Sequence, residues 1–119
     1  MRLSEFDILR LLRATKHALR GFGDAFRSQV SIRQEVIIIL VGTPLALWLG
    51  ENGVERALLI GALLLILLTE LLNAAIETTI DRIGPEHHEL SRKAKDMAAT
   101  AVLVSLIMAA IVWLLILLD

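Results

Sequence analysis

Residues 97–118, Met97 to Leu118, read MAATAVLVSLIMAAIVWLLILL, 22 positions without a charge. At about 1.5 Å of helix rise per residue, that run crosses a hydrocarbon core of about 30 Å. It decides the fold class, because a water-exposed helix cannot be apolar all round. Two shorter apolar stretches precede it, Val36–Leu49 and Ala57–Thr69, each below the roughly 17 residues a lone span needs. The first lengthens outward to Ile32, since Arg33, Gln34 and Glu35 have stems long enough to snorkel to an interface. The second continues through Leu71, Leu72, Ala74, Ala75, Ile76 and Ile80, around the polar residues Glu70, Asn73, Glu77 and Asp81. This gives one helix from about Val54 to Ile83, stopped by Gly84-Pro85: glycine suits a C-cap and proline cannot continue a helix. The expectation is an all-α membrane protein, a single domain over 1–119, with spans at 32–49, 54–83 and 93–118.

Composition agrees. The 119 residues are 56% hydrophobic and 21% charged, with a mean hydropathy of +0.71. There is no cysteine, which excludes disulfides, thiolate metal sites and a cysteine nucleophile. A net charge of −1 and only five aromatics (Phe6, Phe22, Phe26, Trp48, Trp113) argue against a nucleic-acid partner. The N-terminus lacks the apolar core and small-residue site of a cleavable signal. Instead, at 100° per residue, Ile8, Leu11, Leu12, Ala18, Leu19, Phe22 and Phe26 share one side of a helix. Arg2, Arg10, Arg13, Lys16, Arg20 and Arg27 share the other. An amphipathic interfacial helix over 1–28 is therefore expected, with Gly21 and Gly23 marking a bend.

Basic residues set the topology. Seven precede the first span and four lie between Arg82 and Lys95, against one, Arg56, in the 50–56 loop. The N-terminus and the 82–95 loop are expected on the cytoplasmic side, and the C-terminus outside. Trp48 and Trp113 then fall at the same outer interface, as an aromatic belt.

Chemistry concentrates in the second span. Asn73, Glu77 and Asp81 lie 3, 7 and 11 residues after Glu70, within about 80° of helix circumference. Ionisable residues inside a membrane are costly and mark function. Four aligned polar groups exceed what interhelical adhesion needs. Beside them runs Glu86-His87-His88-Glu89-Leu90-Ser91-Arg92-Lys93-Ala94-Lys95-Asp96. Carboxylates such as Glu77 and Asp81 are hard ligands suited to Mg²⁺ bridging nucleotide phosphates, and lysine can contact those phosphates. The adjacent histidines are a weak zinc signal. Neither GxxxxGK[ST] nor GxGxxG occurs, so no P-loop or protein-kinase cradle is present.

At these residues the chain resembles the prokaryotic diacylglycerol kinase family, small three-span enzymes unrelated to soluble kinases. The resemblance is carried by Glu70-Leu-Leu-Asn73-Ala-Ala-Ile-Glu77-Thr-Thr-Ile-Asp81-Arg82-Ile-Gly84, by His88-Glu89-Leu90-Ser91 and by Ala94-Lys95-Asp96-Met97. It runs from about Arg10 to the C-terminus and takes in Arg33-Gln34-Glu35 and Trp48. It implies ATP- and Mg²⁺-dependent phosphorylation of diacylglycerol to phosphatidic acid in the bacterial inner membrane. It also implies a homotrimer with sites shared between subunits. Carried over, Glu70 corresponds to the general base on the lipid hydroxyl and Glu77 to a Mg²⁺ ligand. Arg10, Asn73, Asp81, Glu86, His88, Lys95 and Asp96 fall at the nucleotide. Arg33, Glu35, Trp48, Arg56 and Trp113, with Glu70, fall around the lipid. Two positions depart from the family: Gln29 stands where a second metal carboxylate is placed, and His17 where a tyrosine lies near the nucleotide. The alternatives are an undecaprenol kinase with the same motifs or, in another class, a proton- or cation-coupled transporter.

Overall fold

A computed structural model describes the backbone of residues 5–119 and the side chains from Asp7 onward. Arg2 and the first four residues of the expected interfacial helix lie outside the described residues. Four helices follow one another: α1 Glu5–Ser28, α2 Val30–Leu49, α3 Gly53–Ile83 and α4 Glu89–Leu118. The last three are each long and apolar enough to cross a membrane.

α1 carries Arg10, Arg13, Lys16, His17 and Arg20 on exposed positions and runs as one helix through Gly21 and Gly23. A single extended residue, Gln29, separates it from α2. The last carbonyls of a helix have no partner within it. Here Arg33 supplies one, its Nη1 donating to Phe26 O at 2.7 Å and Arg27 O at 3.0 Å.

Three residues connect α2 to α3. Asn52 Oδ1 accepts from Glu55 N, and Glu55 Oε1 accepts from Glu51 N, so two donors of the turn are met by its own side chains. Arg56 reaches back to Leu47 O at 3.1 Å. Position 50 must be glycine, since a Cβ there would lie 2.5 Å from Arg56 Cγ and 3.0 Å from Ala46 O. At the other end the α3–α4 connection is only 84–88, shorter than the polar 82–95 loop read from sequence. The reason is local. His88 Nδ1 caps α4 by accepting from Leu90 N, and Arg92 bridges Glu89 and Asp96 one turn either side.

α3 is central, with α2 and α4 packed antiparallel along it and α1 resting against the α2–α3 pair. The register is fixed by cross-helix contacts. Gly42 leaves the space that Leu63 fills, Trp113 Nε1 donates to Leu59 O at 3.2 Å, and Thr69 and Ser105 hydroxyls meet at 2.9 Å. Small residues let the backbones approach: Gly42, Ala46, Ala62, Ala74, Ala98, Ser105 and Ala109 are all buried. Large residues point outward (Leu40 is 69% exposed and Leu115 68%), as lipid contact requires.

Candidate active site

Along α3 one face changes character halfway. Leu59, Ala62, Leu63 and Ile66 are buried beneath α2 and α4. The same face continues one turn on as Glu70, Asn73 and Glu77, all half-buried, and ends in exposed Asp81. Glu70, Asn73 and Glu77 make no hydrogen bond or ion pair among the described residues, and Asn73 Oδ1 is buried without a partner. A second orphan faces them from α2. Glu35 is only 6% exposed, its Oε1 unpaired, within electrostatic range of Glu70. Buried polar atoms without partners are rare and call for a ligand, an ion or a neighbouring chain.

The stripe opens at the α3–α4 loop into a polar pocket of about 370 Å³, lined among others by Asp81, Glu86, His88, Ser91 and Lys95. Four residues expected at the nucleotide thus share one cavity. Lys95 Nζ lies 3.4 Å from Asp81 Oδ1, both side chains largely exposed. His88, used as the cap of α4 through Nδ1, keeps Nε2 for another partner. Asp96 points to Arg92 Nη1 at 2.7 Å instead of into the pocket. Arg10 is exposed on α1, outside this cavity.

The donor set fits Mg²⁺ brought by a nucleotide. Among the described residues no three His, Asp or Glu side chains are grouped to hold an ion by themselves. Mg²⁺ needs no such cage, since it keeps several waters and takes one or two carboxylates plus phosphate oxygens. Glu77, half-buried and unpartnered, offers one. The register that pairs Gly42 with Leu63 brings Gln29 to the level of Glu77. The Gln29 side chain lines a cleft of about 490 Å³ between the α1 end and α3, with Asp24, Ser28, Ala74 and Thr78.

The residues expected around a lipid do not form one cluster. Glu35 lies beside Glu70, and Arg33 is engaged at the α1–α2 elbow. Trp48, 79% exposed, and Arg56 lie at the opposite end. Trp113 is half-buried and bonded to Leu59 O, not a freely exposed belt residue. It also walls an apolar groove of about 560 Å³ with Ile38, Val41, Leu45, Leu63 and Ala109, a surface sequence reasoning did not find. Its walls come from three helices, so no local pattern marks it.

A family model described as prokaryotic diacylglycerol kinase matches residues 16–117, a segment that Arg10 precedes. Among curated proteins the chain is 46% identical over 110 residues to a diacylglycerol kinase of Pseudomonas aeruginosa, covering 92% of this chain and 89% of that one. It is 41% identical over 106 residues to one of Haemophilus influenzae (89% and 90%), and 40% over 104 residues to one of Escherichia coli K12 (87% and 85%).

Proposed function

From the premise that the chain belongs to the prokaryotic diacylglycerol kinase family, and is a multi-pass membrane lipid kinase driven by ATP, we propose that it transfers the γ-phosphoryl group of ATP to the free hydroxyl of diacylglycerol, giving phosphatidic acid. The observation that carries the residue assignment is the uncovered polar half of α3, where Glu70, Asn73 and Glu77 lie half-buried without partners.

Glu70 is the carboxylate deepest in the span, where a lipid hydroxyl arrives sideways from the membrane. It accepts the hydroxyl proton as the oxygen attacks the γ-phosphorus, and the bond to the ADP oxygen breaks. Glu77, two turns nearer the polar pocket, would hold Mg²⁺, which supplies positive charge to the phosphate oxygens. Asp81, Glu86, His88 and Lys95 hold and orient the nucleotide in the polar pocket, with Lys95 donating to phosphate. Asn73 lies between the two carboxylates on the same face of α3.

The same unpartnered stripe supports a homotrimer with shared sites. One protomer leaves the half-buried polar groups of its α3 face without partners, and a neighbouring copy would complete their cover from lipid. The basic α1 and the 84–88 loop would face the cytoplasm at a bacterial inner membrane, with the C-terminus outside. Label transfer from γ-labelled ATP to a panel of lipid alcohols in mixed micelles tests the reading. Diacylglycerol should be the preferred acceptor. Preference for undecaprenol, or ATP use without a lipid product, would overturn it.

A further inference from the structure

We infer that the hydroxyl pair Thr69–Ser105 is the positioning device that fixes the azimuth and depth of Glu70; the inference rests on the base role proposed for Glu70. Three polar ties join α3 to α4: Leu59 with Trp113, Thr69 with Ser105, and Asp81 with Lys95. The first closes the end away from the site. The last is long and mostly exposed. The middle one is shielded within the bundle, as the first is, with Ser105 2% exposed and Thr69 half-buried. It alone is joined to Glu70 by a peptide bond, since Thr69 precedes Glu70.

The hydrogen-bond count shows why this tie is directional. Thr69 Oγ1 lies 2.9 Å from Ile66 O, Ser105 Oγ 2.6 Å from Val102 O, and the two hydroxyls 2.9 Å from each other. Each hydroxyl has one proton. Three placements are possible: Thr69 donates to Ser105 and Ser105 to Val102 O, Ser105 donates to Thr69 and Thr69 to Ile66 O, or each donates to the carbonyl of its own helix. The first two hold the bond across the helices, and the positioning role requires one of them. Successive helix positions differ by about 100°, so Thr69 held toward α4 sends Glu70 round toward α2, where Glu35 lies. Ala98 and Ala101, which line the same α3–α4 cleft as Thr69, are small and apolar and offer no directional bond. Without the pair, α3 keeps its fold but Glu70 loses a defined place.

The test is kcat per nucleotide-binding site, counted by equilibrium binding, in mixed micelles. Thr69→Val keeps the shape and removes one hydroxyl; Ser105→Ala removes the other. In each, the surviving hydroxyl retains a carbonyl of its own helix, so no buried orphan is created. Each should lower kcat per site about tenfold with KM for Mg-ATP unchanged, because a misplacement of about 1 Å can cost about 10²-fold. The double variant should be no worse than the poorer single one, as for two members of one bond. Thr69→Ser should restore turnover. A kcat per site within about twofold of the unaltered protein in Thr69→Val overturns the inference, as do single effects that multiply in the double variant. If Thr69→Val leaves too few sites to measure, Thr69→Ser/Ser105→Thr, with both hydroxyls, is read against Thr69→Ser/Ser105→Ala; equal turnover overturns it. Glu70→Gln separates the two claims. Should that variant stay active, the base assignment falls; should it be inactive while Thr69→Val is normal, only the pin falls.

Discussion

Helix α3 is two helices in one, and the boundary between them lies at Ile66 to Glu70. On the far side, Leu59, Ala62, Leu63 and Ile66 are buried against Gly42, Ala109 and Trp113, apolar surface on apolar surface. On the near side, the same face carries Glu70, Asn73 and Glu77, for which the protomer provides no hydrogen-bond or ionic partner among the described residues. Backbone geometry, neighbours and helix direction are continuous across the boundary; only side-chain chemistry changes. Close packing is what one half contributes, and unmet hydrogen-bonding capacity is what the other holds in readiness. The difference teaches that stability and reactivity are segregated along one rod.

If that division is real, substitutions in the two halves must have opposite signatures. The largest effect belongs to Glu70→Gln, which keeps size and hydrogen bonding but cannot take a proton. Lipid phosphorylation should fall about 10²- to 10⁴-fold, while nucleotide binding and unfolding in detergent stay as they were. A loss of stability instead would erase the boundary. The converse is Ala62→Leu in the packed half. It forces three methylene-scale groups against Ile66, Ala109 and Trp113, and should lower unfolding stability by about 1–3 kcal/mol with kcat per nucleotide site preserved. Reduced turnover per site there would show the halves to be coupled.

Smaller effects sharpen the near half. Glu77→Gln should raise the Mg²⁺ concentration for half-maximal activity by at least about tenfold, since even residues supporting a metal ligand cost 10–100-fold. An unmoved Mg²⁺ curve would assign Glu77 to packing. Smallest is Gln29→Glu, adding a charge at the level of Glu77 where the family places a second metal carboxylate. A partly exposed charge pair is worth up to about 1 kcal/mol, so half-saturation should shift down about two- to fivefold with lipid KM unchanged. Superimposable curves would leave Gln29 as the elbow residue alone.

What could be read from sequence was what repeats locally. The uncharged run Met97–Leu118, the two-sided α1 and the stripe from Glu70 to Asp81 each declare themselves by composition or by helical period. The membrane-helix class and the family follow from them. What could not be read involves partners far apart in the chain. Thr69 and Ser105 are 36 positions apart, and Trp113 and Leu59 are 54; no local pattern distinguishes a serine that bonds across helices from one that bonds its own. Arg33 and Arg56 look like lipid-facing charges in sequence, yet both are engaged with helix-terminal carbonyls. The polar run Glu89–Asp96 reads as a loop by composition, but the spacing of Glu89, Arg92 and Asp96 makes it two turns of α4.

The three-residue connection between α2 and α3 has a consequence for biosynthesis. The N–H groups of Gly50, Glu51 and Glu55 are met by Ala46 O, Glu55 Oε1 and Asn52 Oδ1, and the Arg56 side chain folds back on Leu47 O. Glycine at 50 removes the one obstacle to closing it. A newly made α2–α3 segment can therefore close as a helical hairpin with fewer bare backbone groups at its tip. The translocation machinery then has only a short, partly satisfied cap to carry through the hydrocarbon, and both spans enter together.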